Sequence, residues 1–160
     1  MNKRKEIIIE SSSEEMFRVE QFVEEISDEY LLYGNYYGNI LMAVSEAVKN
    51  AIIHGNKQDR QKLIRIVQES TKEGLWIKVT DEGEGFDYGN YSLKESHGEN
   101  FSEKNNGLLL IYKLTDEVRF GKNGSQIEML FRINGIDDSV FERRVAFMQE
   151  FLRVYQRLNK

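Results

Sequence analysis

The 160-residue chain is 40% hydrophobic and 31% charged, the make-up of a globular domain with one well-buried core and no room for two. Its formal net charge of −5 argues against a general nucleic-acid-binding surface, and no apolar run approaches the ~20 residues that cross a bilayer. Without cysteine it forms neither disulfides nor thiolate metal sites, which fits a cytoplasmic protein, and without proline its turns must rely on Gly, Asn and Asp.

Lys5 to Ile9 reads as a short strand, entered from the basic Asn2-Lys3-Arg4 and not from the apolar core of a signal peptide. Ser11 to Ser13, followed by Glu14 and Glu15, form a helix start: hydroxyl caps, then acids in the first turn. Phe17, Phe22, Val23, Ile26 and Tyr30 carry this amphipathic helix to about Tyr33. Gly34 to Gly38 read as a turn, and a second helix runs from about Tyr36 to His54, closed by Gly55. Two strands follow, Leu63 to Glu69 and Leu75 to Thr80, hinged at Lys72-Glu73-Gly74.

Residues 87–106 are polar and lack periodicity, so they are either disordered or a functional lid. Their place between two glycine-bearing segments favours the lid. Leu108 to Leu114 form a short helix; Glu117 to Phe120 and Gln126 to Ile133 form a hairpin turning at Gly121 to Gly124. A last helix spans Asp138 to Asn159 with two apolar stripes, one of Phe141, Val145, Met148, Leu152 and Tyr155, the other of Phe147, Phe151, Val154 and Leu158. That width is expected to pack on the helix's own domain; the alternative leaves part of it for a partner or a twin subunit in a homodimer. The mixed order of elements predicts an α+β, two-layer α/β sandwich, with one domain over residues 1–135 and a helical extension over 136–160.

Three segments carry candidate chemistry. On a helix at ~100° per residue, Glu46, Asn50 and His54 fall at about 0°, 40° and 80°, while Leu41, Val44, Val48 and Ile52 occupy a separate arc. An acid with an amide oxygen one turn on suits a hydrated metal–phosphate site. Next, Val79 and Thr80 run into Asp81-x-Gly83-x-Gly85, where a strand-end carboxylate can accept from an exocyclic amine and the glycines give a flat ring room. Third, Asn106-Gly107-Leu108 opens an apolar helix whose free N–H groups attract phosphate oxygens.

Together these segments resemble the GHKL superfamily of ATPases and kinases, and within it the small anti-sigma factor serine kinases. Glu46 and Asn50 match that family's Asn-containing box, and His54-Gly55-Asn56 matches the end of its helix. Asp81-x-Gly83-x-Gly85 matches the first glycine box. Gly107 to Leu114 match the second, and Asp116-Glu117-Val118 match the short Asp-Glu-Val segment after it. One departure stands out: Asn105 replaces the first glycine of the second box, and His97-Gly98 is the displaced counterpart of a His-Gly that usually precedes it.

The resemblance covers about residues 5–133 and implies a Bergerat-type ATP-binding fold, a mixed, mostly antiparallel sheet with helices on one face. It implies that Asp81 accepts from the adenine amine, that Asn50 ligates Mg²⁺, and that Asn106, Gly107 and Leu108 hold phosphates. Ser125 stands where relatives often carry a Thr that helps fix adenine. Glu46 is the candidate general base, or else a second hydrogen-bonding group that orients Asn50; His54 reads as structural. The implied function is that of an ATP/ADP- and Mg²⁺-binding serine/threonine-protein kinase, a transferase that regulates transcription by switching a sigma factor and its antagonist between complexes. Alternatives are a nucleotide-responsive binding module without phosphotransfer and the detached ATP-binding half of a histidine kinase.

Overall fold

The computed structural model describes residues 3–32, 34–85, 106–133 and 138–158. Among them, five strands form one sheet: β1 (Arg4–Glu10), β2 (Leu63–Ser70), β3 (Leu75–Thr80), β4 (Glu117–Gly121) and β5 (Gln126–Phe131). Their order is β1-β2-β3-β5-β4 and every neighbouring pair is antiparallel, so the sheet is wholly antiparallel. Strand alternation divides it into two unlike faces.

One face is apolar. In register across it lie Ile7, Ile66 and Val79, with Ile9 beside Ile64 and Ile77 beside Met129. Four helices accompany the sheet: α1 (Met16–Glu29), α2 (Asn35–Asn50), α3 (Asn106–Leu114) and α4 (Asp138–Leu158). Val19, Phe22, Val23 and Ile26 of α1, Ile40, Val44 and Val48 of α2, and Leu110, Ile111 and Leu114 of α3 join the strands in one core. The 3.6-residue spacing of those apolar positions is what sets each helix down on its buried stripe.

The opposite face is ionic. Arg65 pairs with Glu6 (2.8 Å), Lys78 with Glu128 (3.0 Å) and Arg119 with Glu117 (2.7 Å). Within it, the chain's single tryptophan, Trp76, lies under the Arg119 guanidinium, 4.3 Å from the ring centroid. Val67 and Leu130, buried on this side, stay dry beside it.

Four helix boundaries differ from the sequence reading. The first helix is entered through a 3₁₀ turn, Ser13–Glu15, capped by Ser12, whose Oγ accepts from the Glu14 N–H (3.3 Å). It ends at Glu29, four residues before the expected end at Tyr33, which lies outside the described residues; Leu31 at φ 54° cannot continue a helix. The expected turn over Gly34 to Gly38 shrinks to Gly34, and Gly38 sits inside α2. Burial of Ile40 and its neighbours outweighs the helix cost of glycine, and the space Gly38 leaves receives the Met148 side chain of α4. Finally, α2 stops at Asn50 and runs on as a π-helical turn, Ala51–Gly55.

α4 is tied to the rest of the fold near its start. The Arg144 guanidinium donates to Asp116 Oδ1 (2.8 Å), both side chains nearly buried, while Asp116 Oδ2 accepts from the Arg132 N–H (2.8 Å). Phe147, Met148 and Phe151 pack against the core, whereas Leu152 and Tyr155 are exposed. The expected contributions of Phe141 and Leu158 fall on side chains outside the described residues. No helix among the described residues is long and apolar enough to cross a membrane.

Removing one member of a buried ion pair strands the other. Arg144→Ala should therefore lower the unfolding free energy by about 3 kcal/mol in urea titrations. A loss under about 0.5 kcal/mol would show that α4 is held by apolar contact alone.

Candidate functional site

A cavity of about 460 Å³ opens between α2, its π turn, α3 and the strand ends, within the range that holds a small organic ligand. Ala47, Val79, Phe120 and Ile127 make apolar walls; Asn50, Asp81, Ser125 and Gln126 bring polar atoms. Of the residues singled out from sequence, Asn50, Asp81, Gly85, Gly107, Leu108 and Ser125 line it. His54, exposed in the π turn after α2, lines it too. Gly83 and Glu46 stand just behind the lining. The Asn106 side chain, Asn105, His97-Gly98 and the expected lid over 87–106, save the Asn106 backbone, lie outside the described residues.

Asp81 occupies the step from β3 into the glycine turn. Its N–H donates to the Ser125 carbonyl (2.9 Å) and its Oδ1 accepts from the Gly83 N–H (2.7 Å). Burial raises its pKa above the ordinary 3.8, opposed by the Gly83 hydrogen bond and the charge of Lys62. Ser125 is nearly buried and spends its own hydroxyl on the Lys122 carbonyl (2.9 Å). Its carbonyl, and not its hydroxyl, thus fixes the neighbouring acid.

The glycines of the first box also permit close approach of backbone. A Cβ on Gly83 would collide with the Gly55 carbonyl oxygen, and one on Gly55 with the Asp81 carboxylate. Gly85, at φ +90°, abuts the Asn123 carbonyl oxygen in the β4–β5 connection. These close approaches draw the π turn after α2, the β3 turn and the β4–β5 turn onto one another.

At the other end, Gly107 brings α3 against α2. A Cβ there would stand 2.8 Å from Glu46 Oε2 and 3.7 Å from Asn50 Oδ1. The helical stripe predicted from spacing is therefore real for Glu46 and Asn50, and the start of α3 faces both. Sequence reasoning missed two partners here. Lys49 Nζ donates to Glu46 Oε1 (3.1 Å), an i,i+3 contact visible only once Glu46 matters. Asn56, wholly buried, ties the π turn to β2 and to Glu82. In sequence it is only the last residue of the His54-Gly55-Asn56 match, with nothing to indicate these bonding partners.

The residues present fit an adenine nucleotide: an apolar slot with a carboxylate acceptor at its end, and a helix start beside a polar pair. Among the described residues no cluster of three His, Cys, Asp or Glu forms a ready-made metal cage. The Asn50 oxygen with the nearby Glu46 carboxylate suits a divalent ion held largely by water and phosphate.

Comparison with known proteins leads to one group. The family "Histidine kinase-like ATPase domain" matches residues 9–131. The serine-protein kinase RsbW of Staphylococcus epidermidis is 33% identical over 100 residues, covering 56% of this chain and 61% of its own length. That of Bacillus subtilis is 34% identical over 105 residues, covering 61% and 65%. The chain thus spans somewhat under two thirds of these relatives. A crystal structure of the RsbU and RsbW domains of a Mycobacterium tuberculosis protein aligns at a TM-score of 0.58 and 20% identity, over 81% of this chain and 32% of that one. It bears out the α+β sandwich.

The raised Asp81 pKa fixes the sign of a stability effect. Below pH 3.8 the group is protonated folded or unfolded and costs nothing; as pH rises the unfolded chain loses the proton first, so Asp81 progressively destabilises the fold. Asp81→Asn removes that cost and can still accept from Gly83. Without nucleotide, it should melt higher than the parent at about pH 7, with the gap closing towards about pH 4. A gap independent of pH would refute the assignment.

Proposed function

Because this chain belongs to the Histidine kinase-like ATPase domain family, we propose that it binds Mg-ATP in this cavity and phosphorylates a serine of a partner protein. The single observation behind this reading is that Glu46 and Asn50 meet Gly107 beside a cavity that Asp81 also lines. A base-reading acid and a phosphate-end cluster then lie in one site.

In this reading adenine enters between Val79, Phe120 and Ile127 and presents its amine to Asp81. Phosphate oxygens meet the α3 start at Gly107 and Leu108, and Asn50 supplies an oxygen to Mg²⁺. The ion, when bound, neutralises phosphate charge that a chain of net charge −5 is poorly placed to attract. The serine oxygen attacks the γ-phosphorus, the bond from that phosphorus to the β–γ bridging oxygen breaks, and ADP leaves. Glu46 takes the hydroxyl proton as the new oxygen–phosphorus bond forms.

Resemblance to the anti-sigma factor kinases supports a partner of their kind: a sigma factor, an antagonist that bears the accepting serine, or both in turn. Phosphate adds about −1.5 to −2 charges to the antagonist and would release it in favour of the other complex.

Glu46→Gln should keep calorimetric ATP binding within about threefold of the parent and slow phosphoserine formation on an antagonist protein by ~10²–10⁴-fold. Equal phosphotransfer by the two proteins would exclude Glu46 as the base. Absence of phosphoserine with the parent, despite bound Mg-ATP, would exclude the kinase.

A further inference from the structure

We infer that Asn56 is a positioning residue for base recognition: with Glu82 it clasps the Leu63 peptide and so holds Asp81 at the angle that distinguishes adenine from guanine. The inference rests on the reading of Asp81 given above and deepens it.

The β2–β3 ladder ends at the pair Arg65 and Thr80. Asp81 and Glu82 then leave the strand, Asp81 lining the cavity, with no ladder pairing to β2 to define their course. Side chains replace the missing rungs. The Asn56 amide donates to the Leu63 carbonyl (3.1 Å) and accepts from the Glu82 N–H (2.9 Å). The Leu63 N–H in turn donates to Glu82 Oε2 (2.5 Å). Leu63 is thus held through both its N–H and its carbonyl, and Glu82 through both main chain and side chain.

Asn56 is itself anchored. Its N–H donates to the Ala51 carbonyl (2.7 Å), closing the π turn, and its own carbonyl accepts from the Asp59 N–H (3.1 Å). It is fully buried with both ends of its amide used, an arrangement that neither aspartate nor leucine reproduces. One residue back, Gly55 lies against the Asp81 carboxylate and the Gly83 backbone. A shift of the clasp therefore turns the Asp81 carboxylate directly. Adenine and guanine present opposite hydrogen-bonding edges to an acceptor at that place, so the cost falls on discrimination before it falls on nucleotide binding as a whole.

The test measures calorimetric affinities of the full chain for ADP and GDP, each with Mg²⁺. The proteins are the parent, Asn56→Asp, Glu82→Ala, Asp81→Asn and Val23→Ala. Asn56→Asp keeps the acceptor but sets a carboxylate against the Leu63 carbonyl; Glu82→Ala reaches the same clasp from an exposed side chain that the fold can spare. Val23→Ala, in α1, matches a general loss of stability. Both clasp variants should lower the ADP-over-GDP preference by about tenfold, with Val23→Ala leaving it unchanged. An unchanged preference in either folded clasp variant, where Asp81→Asn abolishes it, overturns the role of Asn56 alone. Equal loss of ADP and GDP in Asp81→Asn, or no adenine preference in the parent, overturns the Asp81 reading and this inference with it.

Discussion

Everything at the cavity depends on how closely the end of α2 approaches the turn after β3. Gly55 and Gly83 touch backbone to backbone, with the Asp81 carboxylate wedged beside them. That contact brings the helix carrying Glu46 and Asn50 within reach of the strand carrying Asp81. A side chain at either glycine would collide with this contact and force the two elements apart. Partial burial of Asp81 is the consequence, and it raises the carboxyl's pKa.

The rest of the fold holds those two elements in place without entering the site. α1 covers the β1–β2 end of the sheet, α3 brings its first turn to α2, and α4 is locked by the Arg144–Asp116 pair to the junction from which β4 departs. The polar groups at that junction are mutually satisfied, since Asp116 also accepts from Arg132 and its N–H donates to the Leu130 carbonyl (2.9 Å). A buried pair of this kind contributes little net stability but penalises alternative placements of α4.

The parts legible in the sequence are those written in periodicity. The apolar arc of Val44, Val48 and Ile52 orients α2, and with it the flank bearing Glu46 and Asn50. Alternation in Leu75 to Thr80 marks β3 and places Asp81 at its end. The illegible parts have no periodic signature. The π turn changes the winding for five residues with no residue type to announce it, so a wheel drawn through to His54 drifts past Asn50. Asn56 and Glu82 act through partners distant in sequence. The close backbone contacts of the first-box glycines are also invisible in sequence, because the segments they touch are far apart in the chain. Gly34 and Gly38, alike in composition, part company only when Met148 fills the hollow beside the second.

The unlike faces of the sheet have a practical consequence. The only indole in the molecule is on the side away from the cavity, stacked beneath a guanidinium on a lattice of ion pairs. Its emission is thus a built-in optical gauge of whether β2, β3 and β5 remain assembled, insulated by the thickness of the sheet from whatever occupies the opposite side.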